Sequence, residues 1–348
     1  MLVALDDPLP DPETSRRVVF HVKSRFHAPI LKPGWEQARP HHVTLFTNDV
    51  EEVLAHQPDV VVACDSQLVS MRRILPEAFT VNTRHGLISK LHAASLAKSA
   101  DYFCVASPSQ VDWFRDRDIA PRKDFWPIGY LQLDPLFRGE VKPVSTGAPA
   151  GMPVVLFTPT HGEAISGVPM LGEDPVAAIR PNPNDAFVII KPHPEIPLRH
   201  PEWMDRFRVS AALHENVMLV TDTHASIDAY MAASDIMVSD CSSVMLSYLA
   251  LDRPLVLLSN QQRFDSPERF DREGPEWQWR SIGEDVEDIA NLPAAVINAI
   301  GSPGSHAEAR ETARQHIFGE LTDGRTGERL AQNIAALPRQ QRRPRPAA

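Results

Sequence analysis

Short β-branched runs recur along the chain, separated by stretches with helical periodicity. In the first half they are Val18–Val22, Val43–Phe46, Val60–Ala63, Phe79–Val81, Tyr102–Val105 and Phe125–Ile128. In the second half they are Val154–Phe157, Phe187–Ile190, Val217–Val220, Ile236–Val238 and Leu255–Leu258. Each run is almost wholly apolar rather than alternating, as expected of strands buried on both faces of a parallel sheet. Helices are predicted over Asn48–Ala55, Val111–Arg117, Ile227–Ala233, Ser243–Leu251, Val286–Ile300 and His306–Phe318, with a last one over Gly327–Ala336. Alternation of this kind predicts an α/β protein with doubly wound sheets.

The alternation stops between Gly139 and Pro153, where GEVKPVSTGAPAGMP is rich in proline, glycine and small residues. A domain boundary is expected there. It divides the chain into an N-terminal domain, 1–140, a C-terminal domain, 151–320, and a terminal segment, 321–348, made of the last helix and a basic, proline-rich end expected to be disordered. Two domains agree with 348 residues at roughly 150 residues each. A central cleft is the expected ligand site of such a pair.

Charge and cysteine usage narrow the function classes. Forty-five acidic residues against 35 basic ones give a net charge of -10, which argues against a general nucleic-acid binder. No apolar stretch approaches the roughly 20 residues needed to span a bilayer. Asp6, Asp7 and Asp11 near the start do not suit a signal peptide, so a cytoplasmic location is expected. Cys64, Cys104 and Cys241 are far apart and form no CxxC, which fits a reducing compartment. The histidines form no HExxH, so neither a metal site nor a bound cofactor is expected, and assistance by Mg2+ is left open. GxGxxG, GxxxxGK[ST] and GxSxG are also missing, which removes support for the usual dinucleotide, P-loop and α/β-hydrolase readings.

Polar residues collect where the predicted strands end. After Ile236–Val238 come Asp240, Cys241, Ser242 and Ser243, followed by a helix. Free backbone N–H groups and two hydroxyls at that helix start suit a phosphate, although serine and aspartate cap helices without any ligand as well. Lys191 and His193 follow Phe187–Ile190, a cation and an imidazole suited to a phosphate or a leaving group. The competing reading is a solvated lysine and a histidine bonded to backbone. His85 and Gly86 follow Phe79–Val81. An imidazole there can accept a proton from an attacking hydroxyl, or can be structural. Thr158, Thr160 and His161 end the first strand of the second half, and Gly129 and Asp134 precede the boundary; these are candidate cleft-lining residues, together with Gly86 and Asp240.

Taken in order, the segments RHGLISK, GYLQLD, FTPTHG, KPHP, DCSS and DGRTGER resemble the motifs of the CDP-glycerol:poly(glycerophosphate) glycerophosphotransferases of teichoic-acid and capsule synthesis, over about residues 80–335. The resemblance implies a GT-B fold of two Rossmann-like domains. It also implies transfer of a glycerol phosphate unit from CDP-glycerol to an acceptor hydroxyl, with CMP leaving. His85 then stands where a general base is expected and His193 where a phosphate contact or acid is expected. Lys191, Ser242, Ser243 and Thr160 become donor-phosphate ligands. Cys241 departs from the family's tyrosine, Arg84 from its tryptophan, and His161 with Gly162 from an aromatic and an arginine. The implied partners are a nucleotide-activated donor and a polymer or lipid-linked acceptor; the tail residues Arg339, Arg342, Arg343 and Arg345 suit peripheral contact with anionic lipid at the inner face of the membrane, and equally a solvated basic tail with no partner. Two alternatives stay open: a GT-B glycosyltransferase using a nucleotide sugar, and a non-catalytic nucleotide-binding subunit of an envelope-polymer complex.

Overall fold

The computed structural model describes residues 15–23, 27–64, 67–87, 93–265 and 275–339. Arg342, Arg343 and Arg345 of the basic tail, and the acidic start with Asp6, Asp7 and Asp11, lie outside the described residues. The chain divides into two compact units, one of residues 1–85, 92–138 and 317–348 and the other of residues 86–91 and 139–316. The stretch expected as a boundary, 139–153, carries no helix or strand.

The first unit holds a six-stranded parallel sheet of β1 (Arg17–His21), β2 (Val43–Thr47), β3 (Val60–Ala63), β4 (Phe79–Asn82), β5 (Tyr102–Val105) and β6 (Asp124–Pro127) in the order β2-β1-β3-β4-β5-β6. The second holds β7 (Val154–Thr158), β8 (Phe187–Ile190), β9 (Val217–Leu219), β10 (Ile236–Ser239), β11 (Leu255–Leu258) and β12 (Glu284–Val286) in the order β12-β11-β10-β7-β8-β9, again all parallel. All four residues of β3, β4, β8, β10 and β11 are buried, because helices cover both faces of each sheet. Phe157, Val188, Val238 and Val256 meet Phe207 and Val296 in the core of the second unit. Each such side chain contributes roughly 1.5–3 kcal/mol by leaving water.

Two expectations need correction. The helix expected over Val286–Ile300 begins only at Leu292, since Glu284–Val286 forms edge strand β12, in which Val286 alone is buried. Pro293 in the first turn helps to set the helix start. Helices over Ala28–Ala38, Gln67–Ile74 and Pro201–Leu213 were not expected from the pattern. The first of these contains Pro33, which reads in sequence as a break.

The C-terminal segment returns to the first unit from Ile317 onward, so it is not an appendage of the second. Its helix, Thr326–Ala335, packs on helix Ala28–Ala38 and places Leu330, Ala331 and Ile334 in one core with Val18, Phe20 and Leu31. Asp134, fully buried, fixes the start of this helix. Its carboxylate accepts the N–H groups of Thr326 at 3.2 Å and Gly327 at 3.0 Å, as a helix cap does. Gly129 has φ +103°, and a Cβ there would collide with the Thr326 hydroxyl, so only glycine fits. Gly129 and Asp134 were candidates for lining a ligand site; instead they hold the fold, because Asp134 is spent on backbone donors. Asp323 and Arg329 pair through two bonds of 2.9 and 2.6 Å. The motifs GYLQLD and DGRTGER are thus two halves of one structural lock.

Asp134→Ala leaves two helix-start N–H groups without their acceptor, at roughly 1–3 kcal/mol per buried donor. Urea unfolding is expected to show a loss of about 2 kcal/mol or more; an unchanged midpoint would contradict the lock.

Candidate functional site

In the second unit the chain winds outward from β7 in one direction through β8 and β9, and from β10 in the other through β11 and β12. Ligands of open parallel sheets bind at the carboxyl ends of the strands where the winding reverses, which here is the β7–β10 pair. The loops leaving β7, β8 and β10 carry Thr160 with His161, Lys191 with His193, and Asp240 with Ser242 and Ser243. The topology therefore gathers the segments FTPTHG, KPHP and DCSS at one edge.

Asp240 holds that edge together from beneath. It is fully buried, and its carboxylate accepts the N–H groups of Thr160 at 2.9 Å and Gly167 at 3.0 Å and the hydroxyl of Ser166 at 3.4 Å. Arg280, itself buried, donates to the Asp240 backbone carbonyl at 3.3 Å and pairs with Asp285 at 3.2 Å. Burial pushes the Asp240 carboxyl up to about 6, against the pull of the Gly167 and Thr160 N–H groups and the Arg280 charge. Asp240 was expected to line the cleft. It cannot meet a ligand from this position, and it acts as a positioning residue. Thr158 is likewise buried, with its hydroxyl donating to Ser239 Oγ at 3.0 Å. Thr160 is buried too, and its backbone is anchored by Asp240.

The paired serines divide their work. Ser242 is the cap of helix Ser243–Tyr248, and its hydroxyl accepts the Val244 N–H at 3.4 Å. Ser243 is half-buried, and its hydroxyl has no hydrogen bond to a described residue. Gly86, which belongs to the second unit, is close by: a Cβ there would sit 3.1 Å from Ser243 Oγ. A side chain in place of the glycine of RHGLISK would require the Ser243 hydroxyl to give way by a few tenths of an ångström.

Lys191 is only 5% exposed. Its ammonium makes no hydrogen bond or ion pair with any described residue; burial lowers its pKa, and the charge of Asp222 only partly opposes this. His193 is half-buried and accepts the Glu195 N–H on Nδ1 at 3.1 Å, which leaves the ring proton of the neutral form on Nε2. The ring of His161 lies 4.4 Å from that of His193, centroid to centroid.

In the first unit, His85 follows β4 and is exposed. Arg84 before it takes a left-handed φ of +61°, with its N–H on Asn82 Oδ1 at 2.9 Å. A non-glycine residue held in this region is strained, and such strain gathers at functional sites. The Arg84 guanidinium lies over Phe103 and Phe114 at 5.6 and 5.4 Å and donates to Gln110 at 3.3 Å. It fills a place among aromatic rings and is not a phosphate-binding cation. His27, 5.9 Å from His85 between ring centroids, was missed in the sequence, as was Arg280. Neither stands in a motif or a periodic pattern. Among the described residues no three His, Cys, Asp or Glu side chains cluster to hold a metal ion. No described helix is long and apolar enough to cross a membrane.

The family model of the CDP-glycerol:poly(glycerophosphate) glycerophosphotransferases matches residues 77–336. The chain belongs to this family. Its activity class is the family's, glycerophosphotransfer from CDP-glycerol. Among solved structures, the wall teichoic acid polymerase TagF is similar at TM-score 0.67 and 14% identity, over 94% of this chain and 89% of that one. A putative UDP-N-acetylglucosamine 2-epimerase from Listeria monocytogenes is similar at TM-score 0.62 and 13% identity, over 92% of this chain and 96% of that one. The UDP-GlcNAc 2-epimerase from Neisseria meningitidis follows at TM-score 0.61 and 13% identity, over 91% and 99%. At these identities the likeness is one of fold, and the fold is of GT-B type. No curated protein sequence matches the chain.

The raised pKa of Asp240 has a consequence for stability. A carboxyl at about 6 in the fold, against an ordinary 3.8, binds its proton more tightly folded than unfolded. Its contribution is full below about pH 4 and is lost as pH rises through about 6. Asp240→Asn lacks this titration. The stability of the wild type minus that of the variant is expected to fall by on the order of 2–3 kcal/mol from pH 4 to 7 in urea titrations. A flat difference would remove the buried charge from the account.

Proposed function

We propose that the chain transfers glycerol phosphate from CDP-glycerol to the hydroxyl of a polymer or lipid-linked acceptor, with the donor's diphosphate held at the carboxyl ends of β7, β8 and β10. The observation that carries this reading is Lys191. Lys191 is 5% exposed as a residue, and its ammonium pairs with no carboxylate among the described residues; burying it is costly, and an anionic ligand offsets that cost. The Ser243 hydroxyl and the first-turn N–H groups of its helix add donors for the same anion, supported by the buried Asp240 beneath.

The acceptor oxygen attacks the phosphorus that bears glycerol. The bond from that phosphorus to the bridging oxygen breaks, and CMP leaves with the electron pair. His85 takes the proton of the attacking hydroxyl. The Nε2–H of His193 hydrogen-bonds to the phosphate oxygens as charge builds on the departing CMP. Phosphoryl transfer asks the protein chiefly for positioning and charge stabilisation, which these residues supply. Ser242 serves indirectly, by capping the helix from which Ser243 is presented.

Incubation with CDP-glycerol, UDP-sugars and GDP-sugars, with assay of the released nucleotide, tests the reading. CMP release from CDP-glycerol is expected; release of UDP or GDP instead would replace it with a glycosyltransferase. His85→Ala is expected to lower turnover by about two to four decades, and near wild-type turnover would remove the base assignment. Lys191→Met separates binding from folding. The variant is expected to be more stable than wild type by about 1 kcal/mol, through loss of an unpaired buried charge. It should need at least about tenfold more CDP-glycerol for half-maximal rate, the equivalent of one charge-assisted contact. Lower stability with unchanged KM would assign Lys191 to the fold alone.

A further inference from the structure

We propose that His161 is a further substrate-contacting residue, which with His193 forms a two-imidazole clamp on the donor's diphosphate and takes up a proton as the anion arrives. This deepens the functional reading above and rests on it. His161 is the third residue after β7 and His193 the third after β8, and these strands are neighbours paired in parallel through Phe157 and Ile190. The His193 N–H donates to the Pro159 carbonyl at 3.2 Å, which ties the two loops together. The rings lie 4.4 Å apart and tilted by 40°.

The neighbouring position cannot supply a cation. Gly162 closes a tight turn in which its carbonyl accepts the N–H groups of Ile165 at 3.0 Å and Ser166 at 2.7 Å. A Cβ on Gly162 would lie 2.9 Å from Ile165 Cγ1, so no long side chain starts there without moving the turn. His161, half-buried beside it, is the group this turn presents to His193.

Two imidazoles this close resist carrying two protons, because like charges repel strongly away from bulk water. Interacting groups at such a distance share their protons as a pair. A diphosphate reverses the balance, since each negative oxygen favours a charged imidazole. The other charged groups on the surrounding elements include Lys191 at the end of β8, Glu163 and Glu195 on the two loops, Asp222 after β9 and Asp240 from β10. Lys191 favours the neutral pair before the ligand arrives, and the four carboxylates oppose it.

Calorimetric titration of the full chain with CDP-glycerol and with CDP, at pH 7.5 in buffers of different ionisation enthalpy, reads the proton directly. Wild type is expected to take up about one proton on binding. His161→Phe keeps an aromatic ring without a titrating nitrogen, and His161→Gln keeps polarity without charge. Both are expected to take up less than about a third of a proton and to bind at least about tenfold more weakly, with wild-type thermal midpoints. Wild-type uptake and affinity in either folded variant would overturn the clamp and leave the functional reading standing. Failure of wild type to bind either CDP-glycerol or CDP would overturn both.

Discussion

The site depends on one buried carboxylate. Asp240 leaves the end of β10 and gathers the backbone of the loop that leaves β7, through Thr160 and Gly167. Without these bonds the two loops on either side of the winding reversal would have no fixed relation, since strand pairing ends at Ser239 and Thr158. The arrangement is costly, as the raised carboxyl pKa shows. It persists because an ionised carboxylate accepts more N–H and O–H donors than a neutral group of the same size. Rigidity at a phosphate-handling edge is worth that cost, because electrostatic stabilisation acts only when the donors are already in place.

Three cationic or potentially cationic side chains then occupy this edge: Lys191, His193 and His161. Their gathering at the ends of neighbouring strands is what supports an anion site at this edge. The same edge of the first sheet carries His85, placed after a strained Arg84 whose guanidinium is locked over two phenylalanines. Arg84 departs from the tryptophan that the resemblance implies, and here it is a planar group packed on rings.

Most strands were legible because a strand buried on both faces is largely apolar, and eleven of the twelve overlap an apolar run read from the sequence. The exception that escaped notice is β12, Glu284–Val286, where only one side chain is buried and acidic residues face water. The helix Ala28–Ala38 was hidden by Pro33, and Pro201–Leu213 by an irregular apolar pattern. The candidate residues were legible as types and order. Their roles were not. Asp134 closes the motif GYLQLD and Asp240 opens DCSS, each after a strand, yet one caps a helix in the first unit and the other braces a loop in the second. Ser242 and Ser243 are adjacent, yet one is consumed as a cap and the other keeps its hydroxyl available.

The sequence by itself determined the α/β class, the order of the six motifs and the family they point to, because these depend on local periodicity and residue chemistry. Only the tertiary structure decided which polar groups face a ligand and which face the backbone. Asp134 meets its partners 192 and 193 positions further along the chain, and Asp240 meets Thr160 across 80 positions. Burial and the supply of donors are set by such distant segments, and no local pattern carries them.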